Sequence, residues 1–381
     1  MKKVLVVIPS LGLGGTNSSL DSIYNSLKDE IGFSIYSISK YDKNESPYSF
    51  GQSLLPYNFF LYLLDGIFIR MNAREKILAF FVKIFKRIIL KLYPSFIDFI
   101  YKKCIDKIET IDNYDAIIAF QEGFTTRFVS LFPHKNKIAW IHCNYCEVVP
   151  KEGSELSIYE RFNKIVCVSK FTTQCFNERY PTLSQKVCTI YNLLNDERIN
   201  GYVIKERNDN ILRLISVGRI DSVKRFSYIP KIVDDIVEKG VDIHWIIIGG
   251  VSNDVEEGER LTKALSDMKH KKRVSWIGAI NNPSQYMSES DLLVCLSSSE
   301  ACPMVFIEAK TVGVPILTTN FGSASEFVSN GKEGIITSID KFEDTILTLY
   351  EDKTKLEKFK SYLKGFQYKN EDILHQIKGI L

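Results

Sequence analysis

The sequence predicts an α/β protein made of two doubly wound domains, and three observations support this fold class. The chain opens with an apolar, β-branched run at residues 3–8, followed by a glycine-rich turn and an amphipathic helical pattern. The same order restarts at residue 212, after a polar stretch at 195–210 that is typical of a linker. The length of 381 residues suits two domains, since single domains commonly have about 100–200 residues.

Short apolar runs predict the strands of both sheets. In the first domain, residues 1–200, strands are expected at 3–8, 116–120, 138–141 and 165–168. In the second, residues 201–365, they are expected at 212–217, 244–248, 274–277, 292–296 and 315–318. Residues 366–381 are predicted as a C-terminal helix that could cross back to the first domain. Because helical patterns lie between the strands, both sheets are expected to be parallel.

Composition and charge exclude several classes of protein. With 45% hydrophobic and 25% charged residues, the chain is neither disordered nor fibrous, and a net charge of +3 disfavours a nucleic-acid-binding protein. Eight irregularly spaced cysteines, several of them in apolar runs, indicate buried free thiols in a reducing compartment. The first apolar run stops at Pro9, too early for a secretory leader, and no stretch is long enough for a membrane span. The predicted location is the cytoplasm.

Residues 59–103 depart from the α/β pattern because they are aromatic, aliphatic and basic. Nine basic and two acidic residues lie between 70 and 103. On a helical wheel the basic and apolar residues take opposite faces, Lys76, Lys83, Lys86, Arg87 and Lys91 against Ile77, Leu78, Phe81, Ile84, Phe85, Ile88, Ile89 and Leu92. Such a helix can lie on an anionic membrane at the inner leaflet, or pack on the sheet with a solvated basic face. The sequence leaves both interpretations open.

Two cations follow the strand predicted at 212–217. Gly218 and Arg219 come directly after it, and Lys224 follows a few residues later. Ligands of open α/β sheets bind beyond the carboxyl ends of the strands. A guanidinium can bind a diphosphate bidentately while an ammonium neutralises its second phosphate. The pair therefore indicates a diphosphate site, with a solvated loop as the alternative.

Two glutamates with E-x7-E spacing, Glu300 and Glu308, follow the strand predicted at 292–296. Pro303 is expected to begin a helix there, since a missing N–H costs nothing in the first turn. The N–H groups of Met304 and Val305 would then form an anion site, with the two carboxylates holding sugar hydroxyls beside it. The alternative is a capped helix with one exposed glutamate.

Together these residues resemble the retaining glycosyltransferases of family 4. That family has the GT-B fold, two Rossmann-like doubly wound domains facing each other across a cleft, and carries the Gly-Arg…Lys and E-x7-E elements at a similar separation. The resemblance spans most of the chain. Further matching positions are Gly14-Gly15, Trp140-Ile141-His142, Val168-Ser169-Lys170-Phe171, Tyr191-Asn192, Trp276-Ile277-Gly278, Ser297 and Gly313-Val314-Pro315.

The resemblance implies roles for the candidate site residues among these positions. Arg219 and Lys224 would bind the donor diphosphate and stabilise the departing nucleotide. Glu300 would contact the donor sugar and Glu308 the ribose. Other donor contacts fall to Gly14, Gly15, Ile277, Pro303, Met304 and Val305, and His142 would face the reacting sugar from the first domain. Thr16-Asn17 and Ala301 depart from the family pattern, and the first of these departures concerns details of the acceptor side.

The implied function is transfer of a hexosyl unit, with retention, from a nucleotide sugar to a glycan or lipid-linked saccharide of a capsule or O-antigen. A UDP-sugar is expected in preference to a GDP-sugar. No D-x-D motif occurs, so we expect no metal and no further cofactor. A zinc or redox role for Cys143-x-x-Cys146 lacks partner motifs, and NAD binding would require glycine at Asn17. The alternative functions are a catalytically silent nucleotide-sugar-binding subunit and, less favoured, an epimerase or phosphorylase of the same fold.

Overall fold

The chain divides into two compact units. Unit 1 comprises Met1–Leu193 and Asn370–Leu381, and unit 2 comprises Leu194–Lys369, so the divisions fall a few residues from those expected at 200 and 365. The computed structural model describes residues 1–12, 14–39, 48–65, 73–92, 94–108, 111–148, 155–195, 199, 201–205, 209–251 and 254–381. Parts of the predicted linker (196–198, 200 and 206–208), Leu13 of the glycine turn and Arg70 of the basic segment lie outside these residues.

Unit 1 contains a six-stranded sheet in which every neighbouring pair is parallel, in the order β2-β1-β3-β4-β5-β6. The strands are β1 Lys2–Ile8, β2 Ile31–Ser37, β3 Ala116–Ala119, β4 Lys137–Ile141, β5 Lys164–Cys167 and β6 Val187–Thr189. The four predicted strands are present. β2 and β6 were not predicted, because β2 mixes glycine and serine with its apolar residues and β6 is a three-residue, half-buried edge strand.

Unit 2 repeats the architecture with a second parallel sheet, in the order β12-β11-β10-β7-β8-β9. Its strands are β7 Leu212–Val217, β8 Ile243–Ile248, β9 Val274–Trp276, β10 Leu292–Cys295, β11 Ile316–Thr319 and β12 Gly334–Thr337. The five predicted strands are present within a residue or so. β12 was not predicted, because it is a half-buried edge strand that begins with glycine.

Helices connect the strands of both units. Those preceding β7 are α1 Gly15–Leu27, α2 Phe59–Asp65, α3 Ala73–Leu92, α4 Pro94–Ile105, α5 Phe124–Ser130, α6 Tyr145–Val148, α7 Leu156–Tyr159 and α8 Lys170–Arg179. Those following it are α9 Ile229–Glu238, α10 Val255–Asp267, α11 Ser284–Ser288, α12 Met304–Val312, α13 Ala324–Phe327, α14 Phe342–Glu351, α15 Lys353–Leu363 and α16 Asn370–Ile380. The last helix, α16, belongs to unit 1, where Lys378 reaches Glu30 at 2.7 Å.

The basic amphipathic helix forms as predicted, but its orientation contradicts the sheet-packed alternative. The apolar arc of α3 faces outward, with Phe81 63% and Ile88 52% exposed, whereas Ala79 is fully buried and Lys83 and Lys86 are half-buried. The helix packs against α2 and α4 through the side that carries these lysines. The side chains of Ile89, Lys91 and Leu92 lie outside the described part of the chain.

Strand order gives each sheet one crevice where a ligand is expected. In unit 2 the chain leaves β7 for β8 on one side and later returns to β10 on the other, so the strand order reverses between β7 and β10. In unit 1 the same reversal lies between β1 and β3. In open α/β sheets, ligands bind outside the carboxyl ends of the strands at such a switch point.

Candidate active site

The loop after β7 holds Lys224 against the end of the strand. Ile220 is fully buried and anchors the loop, and the Lys224 N–H donates to the Asp221 side chain at 3.1 Å. A Cβ placed on Gly218 would stand 3.1 Å from Cε of Lys224, so glycine at this position leaves room for the lysine to fold over the strand end. The Gly-Arg…Lys spacing therefore has a local structural reason.

Lys224 and Glu300 form an ion pair at the switch point between β7 and β10. The side chains are only 18% and 14% exposed, and the Ser297 hydroxyl donates to the same Glu300 oxygen at 2.6 Å. Burial works to lower the pKa of Lys224, but the adjacent Glu300 carboxylate outweighs it, and the net pKa is raised above the ordinary value. The ammonium therefore stays charged at neutral pH.

The backbone around Glu300 is held by hydroxyl groups from neighbouring strands and loops. Ser323, which follows β11, donates to the Glu300 carbonyl at 2.7 Å. Thr319 donates to the Ser297 carbonyl, and the Ser298 N–H donates to the carbonyl of Val223 at 2.8 Å. The bond from Ser298 to Val223 joins the Glu300 loop directly to the loop of Lys224, so the ion pair sits between two mutually fixed segments.

Arg219 shares the loop with Lys224, but the structure does not bring it to Glu300. Its side chain is 66% exposed and lies 3.8 Å from the Asp221 carboxylate. The guanidinium is therefore available to a ligand that enters from solvent. The two cations predicted to act together therefore differ in burial. Lys224 is mostly buried against Glu300, whereas Arg219 is mostly exposed.

Helix α12 starts beside the Glu300 loop. Pro303 was expected to begin it, but Pro303 is the capping residue and the helix begins at Met304. The N–H groups of Met304 and Val305 lie in the first turn, where no acceptor exists within the helix. Gly313 ends the helix with φ 94°, a left-handed conformation that favours glycine. Glu308 lies half-buried one turn after Met304.

Ile277 lies at the same edge of the unit 2 sheet, immediately after β9. Its N–H donates to the carbonyl of Ile247 at 3.0 Å, and its side chain is 37% exposed. Because β9, β8, β7 and β10 are neighbours in that order, Ile277, Lys224 and Glu300 all follow carboxyl ends of strands on one edge. The predicted donor residues of unit 2 therefore share one edge of the sheet.

In unit 1, Gly14 ends the turn after β1 as the capping residue of α1, and Gly15 is the first residue of that helix. A Cβ at either glycine would have no atom within 4 Å, so the turn is open in front of both. The Asn17 amide donates to the carbonyls of Ser10 and Gly12, each at 2.8 Å. Asn17, a departure from the family pattern, therefore has a structural function in closing this turn.

His142 follows β4 at the same edge of the unit 1 sheet. Its backbone N–H donates to the Glu122 carboxylate at 2.8 Å, and its ring lies 4.7 Å from that of Phe120 and nearly parallel to that of Trp140. The Nε2 atom is buried and has no hydrogen-bond partner among the described residues. Burial lowers the pKa of His142 to about 3. The imidazole is therefore neutral, with one ring nitrogen available for hydrogen bonding.

Stability should decrease at acidic pH because of His142. Below its unfolded-state pKa of about 6.5, the unfolded chain binds a proton that the folded chain excludes down to about pH 3. This group should lower the free energy of unfolding by up to about 1.4 kcal/mol for each pH unit below 6.5. Urea unfolding at several pH values should show a smaller acid loss in His142→Phe than in wild type. The exposed His375→Gln serves as control, and equal acid losses in wild type and His142→Phe would contradict the buried, neutral ring.

Sequence reasoning assigned no role to three side chains that position the candidate residues. Glu122 binds the backbone of His142, Ser297 binds the Glu300 carboxylate, and Ser323 binds the Glu300 carbonyl. Each follows the carboxyl end of a strand: β3, β10 and β11, respectively. The rule that selected Lys224 and Glu300, a polar side chain just after a buried parallel strand, would have found them.

The cysteines and acidic residues do not form a recognisable metal centre in the described part of the chain. No group of three or more His, Cys, Asp or Glu side chains there could hold a metal ion. All eight cysteines are free thiols, including Cys143 and Cys146.

Comparison with known proteins supports the family predicted for this site. Residues 185–366 match the family model described as glycosyl transferases group 1. Over these residues, the chain is similar to that family. The group 1 segment contains Arg219, Lys224, Glu300 and Glu308. The finer assignment to family 4 stays a prediction.

Relatives and solved structures are similar to the chain over different extents. The O-antigen biosynthesis glycosyltransferase WbnH of Escherichia coli is 27% identical over 48% of this chain and 48% of its own length. The N-acetylgalactosamine-N,N'-diacetylbacillosaminyl-diphospho-undecaprenol 4-alpha-N-acetylgalactosaminyltransferase of Campylobacter jejuni is 24% identical over 60% of each chain. The chain thus spans less than two thirds of either relative.

The fold extends beyond the group 1 segment. The structure of Anabaena Alr3699/HepE in complex with UDP and glucose matches 100% of this chain and 99% of its own, with a TM-score of 0.74 and 16% identity. The chain has the GT-B fold, with two Rossmann-like units as predicted.

Proposed function

We propose that this protein is a retaining glycosyltransferase that moves a hexosyl unit from a nucleotide sugar to a glycan or lipid-linked saccharide. The observation that carries the proposal is the Lys224–Glu300 pair at the switch point of a group 1 segment. A charged ammonium and a carboxylate held beside a helix start suit a diphosphate joined to a hydroxylated sugar.

The proposed donor chemistry depends on stabilising the negative charge that develops on the departing diphosphate. Transfer breaks the bond between the sugar C1 and a phosphate oxygen, and the electron pair stays on the departing diphosphate. In this proposal, Lys224, the exposed Arg219 and the first N–H groups of α12 stabilise that charge. Glu300 and Glu308 bind sugar and ribose hydroxyls, and the neutral His142 offers a hydrogen bond to the donor sugar. The acceptor hydroxyl forms the new bond to C1 on the face that the diphosphate leaves, as retention requires, and its proton passes to the departing diphosphate.

The nucleotide and the acceptor are proposed from the solved structures and relatives to which the chain is similar. A solved structure of the same fold holds UDP, which favours a UDP-sugar over a GDP-sugar. The Campylobacter relative is named for a diphospho-undecaprenol substrate, and the Escherichia coli relative for O-antigen biosynthesis. We infer a lipid-linked saccharide of a surface polysaccharide as acceptor, reached at the cytoplasmic face of the membrane.

A donor screen tests the proposal directly. UDP- and GDP-sugars should be compared by thermal shift and by slow donor hydrolysis, with product anomers assigned by NMR. A true donor at 100 times its Kd should add about 2.7 kcal/mol to the free energy of unfolding. Hydrolysis should survive EDTA, because Lys224, Arg219 and the helix start supply the positive potential.

The possible outcomes separate the alternatives. Binding of a UDP-sugar without hydrolysis or transfer to any lipid-linked acceptor would favour the catalytically silent subunit. Complete loss of activity with EDTA, restored by magnesium or manganese, would overturn the metal-independent mechanism. An inverted anomer would contradict retention.

A further inference from the structure

Helices α3 and α4 carry an exposed apolar surface on unit 1. Its central members are Phe81, Ile84, Phe85 and Ile88 of α3 with Phe96 and Phe99 of α4, hereafter the α3–α4 apolar surface. These side chains are 40–63% exposed, and Phe96 and Phe99 stack with their ring centroids 6.3 Å apart. Water-soluble monomers rarely expose large contiguous apolar patches, and those that do generally use them for binding.

Packing on the opposite side of α3 fixes this orientation. Ala79 is fully buried in a cluster with Tyr62 and Leu63 of α2. The Lys86 ammonium lies over the rings of Tyr101 and Phe124, at 5.6 and 5.1 Å from their centroids. Turning the apolar arc inward would break both sets of contacts. The apolar surface is therefore a feature of the folded unit.

Helix α4 is anchored in the same way. Ile97 and Tyr101 are each 1% exposed and belong to the main core of unit 1. The Asp98 carboxylate accepts two hydrogen bonds from Arg127 of α5, at 2.8 and 3.2 Å. These bonds also pair the negative charge of Asp98 with the positive charge of Arg127.

The charge around the surface is strongly positive. Residues 73–105 contain eight basic and two acidic residues, and one of the two acids is Asp98. On α3, Arg74, Lys76 and Arg87 are exposed, as are Lys102 and Lys103 on α4. Two copies meeting face to face through this surface would bring these like charges together. An anionic partner is favoured instead.

We propose that the α3–α4 apolar surface docks on an anionic phospholipid bilayer, with its aromatic and aliphatic side chains at the acyl boundary. The basic residues around it would lie at the lipid phosphates. An apolar face bordered by Lys and Arg is the pattern of helices that lie in the membrane interface. Among the described residues, no helix is long and apolar enough to cross a bilayer. Docking through an interfacial face of this kind is peripheral and reversible, and its use in reaching a lipid-linked acceptor rests on the proposed function.

Vesicle flotation tests the proposal with the full chain. Wild type should float with phosphatidylglycerol vesicles at low salt, and much less with phosphatidylcholine vesicles or at high salt. Phe81→Asp with Phe85→Asp should lower the partition coefficient on the order of 100-fold, because the charges would enter the acyl boundary. Val255→Asp with Tyr362→Asp is the matched control, since both positions are exposed apolar sites on unit 2.

A charge-reversal variant separates the electrostatic contribution. Arg74→Glu, Lys76→Glu and Arg87→Glu together should lower binding to phosphatidylglycerol by at least about 100-fold at low salt. These exposed residues are preferred to Lys83 and Lys86, which are half-buried, with Lys86 packed on two rings. Circular dichroism and the unfolding temperature should match wild type in both variants.

The outcomes decide between a bilayer and a protein partner. Failure of wild type to bind phosphatidylglycerol at low salt, or binding unchanged in both variants, would overturn the proposal. A wild-type dimer that becomes monomeric in Phe81→Asp with Phe85→Asp, without vesicle binding in either, would assign the surface to a second copy. Donor hydrolysis in solution should be equal in all variants, so failure of docking is distinguishable from failure of the proposed function.

Discussion

Replacing Lys224 by alanine is expected to lower kcat by about 10²–10³-fold while the protein stays folded. The ammonium is mostly buried beside Glu300, so its charge acts in a setting with little screening by water. Without it, the charge that develops on the departing diphosphate loses its fixed counter-charge. Donor hydrolysis and transfer rates measure the effect, and circular dichroism checks the fold.

A double variant separates the catalytic role of Lys224 from a structural one. Lys224→Ala leaves the Glu300 carboxylate mostly buried without its cation, which should destabilise unit 2. Adding Glu300→Gln should recover part of that stability, but turnover should stay well below that of Glu300→Gln alone. Equal turnover in the double variant and in Glu300→Gln would mean that Lys224 acts only in folding.

Two further variants, one a control and one at the second predicted cation, accompany this prediction. Lys231→Ala removes an 80% exposed ammonium that is paired with Asp235 on α9, and should leave turnover unchanged. Arg219→Ala should lower turnover with no loss of stability, because its side chain is 66% exposed. Near-normal activity in both Arg219→Ala and Lys224→Ala would show that the diphosphate binds elsewhere.

Gly249→Ala is expected to destabilise unit 2 by about 3 kcal/mol and to abolish donor binding. The new Cβ would stand 1.7 Å from the Gly218 carbonyl oxygen, which belongs to the backbone and cannot move aside alone. The ends of β7 and β8 would have to separate, although the Gly218 N–H donates to Ile248 at 2.9 Å. The Lys224 loop starts at this point. Thermal unfolding should show a decrease in Tm of roughly 6–12 °C.

Gly365→Ala is the matched control for Gly249→Ala. Gly365 is exposed, and a Cβ there would have no atom within 4 Å, so Tm and donor binding should stay at wild-type values. A normal Tm and normal donor binding in Gly249→Ala would mean that the ends of β7 and β8 lie further apart than the structure places them.

The parallel strands could be predicted where the apolar run is continuous. β7 has the predicted bounds, and Val4–Ile8 of β1 are fully buried, because central parallel strands are covered on both faces. The edge strands β6 and β12 are short and half-buried, so they carry too few apolar residues to stand out from loops. β2 was missed because its glycine and serine interrupt the apolar run.

By itself, the sequence determined which residues could meet in unit 2. Lys224 and Glu300 each follow a buried parallel strand, and the carboxyl ends of parallel strands share one edge. Strand order is a tertiary property, however, and only the structure placed β7 next to β10 and so paired the two side chains. Only the structure also showed that Ser323 binds Glu300 and that Glu122 binds His142, because these partners are distant along the chain.

The α3 helix shows the same division. Its pattern determined that apolar and basic residues take opposite faces, because that follows from the helical period alone. The period carries no information on which face meets the rest of the protein. That choice depended on Tyr101 and Phe124, which receive Lys86, and on the α2 cluster around Ala79. Only tertiary packing could turn the apolar face of α3 outward.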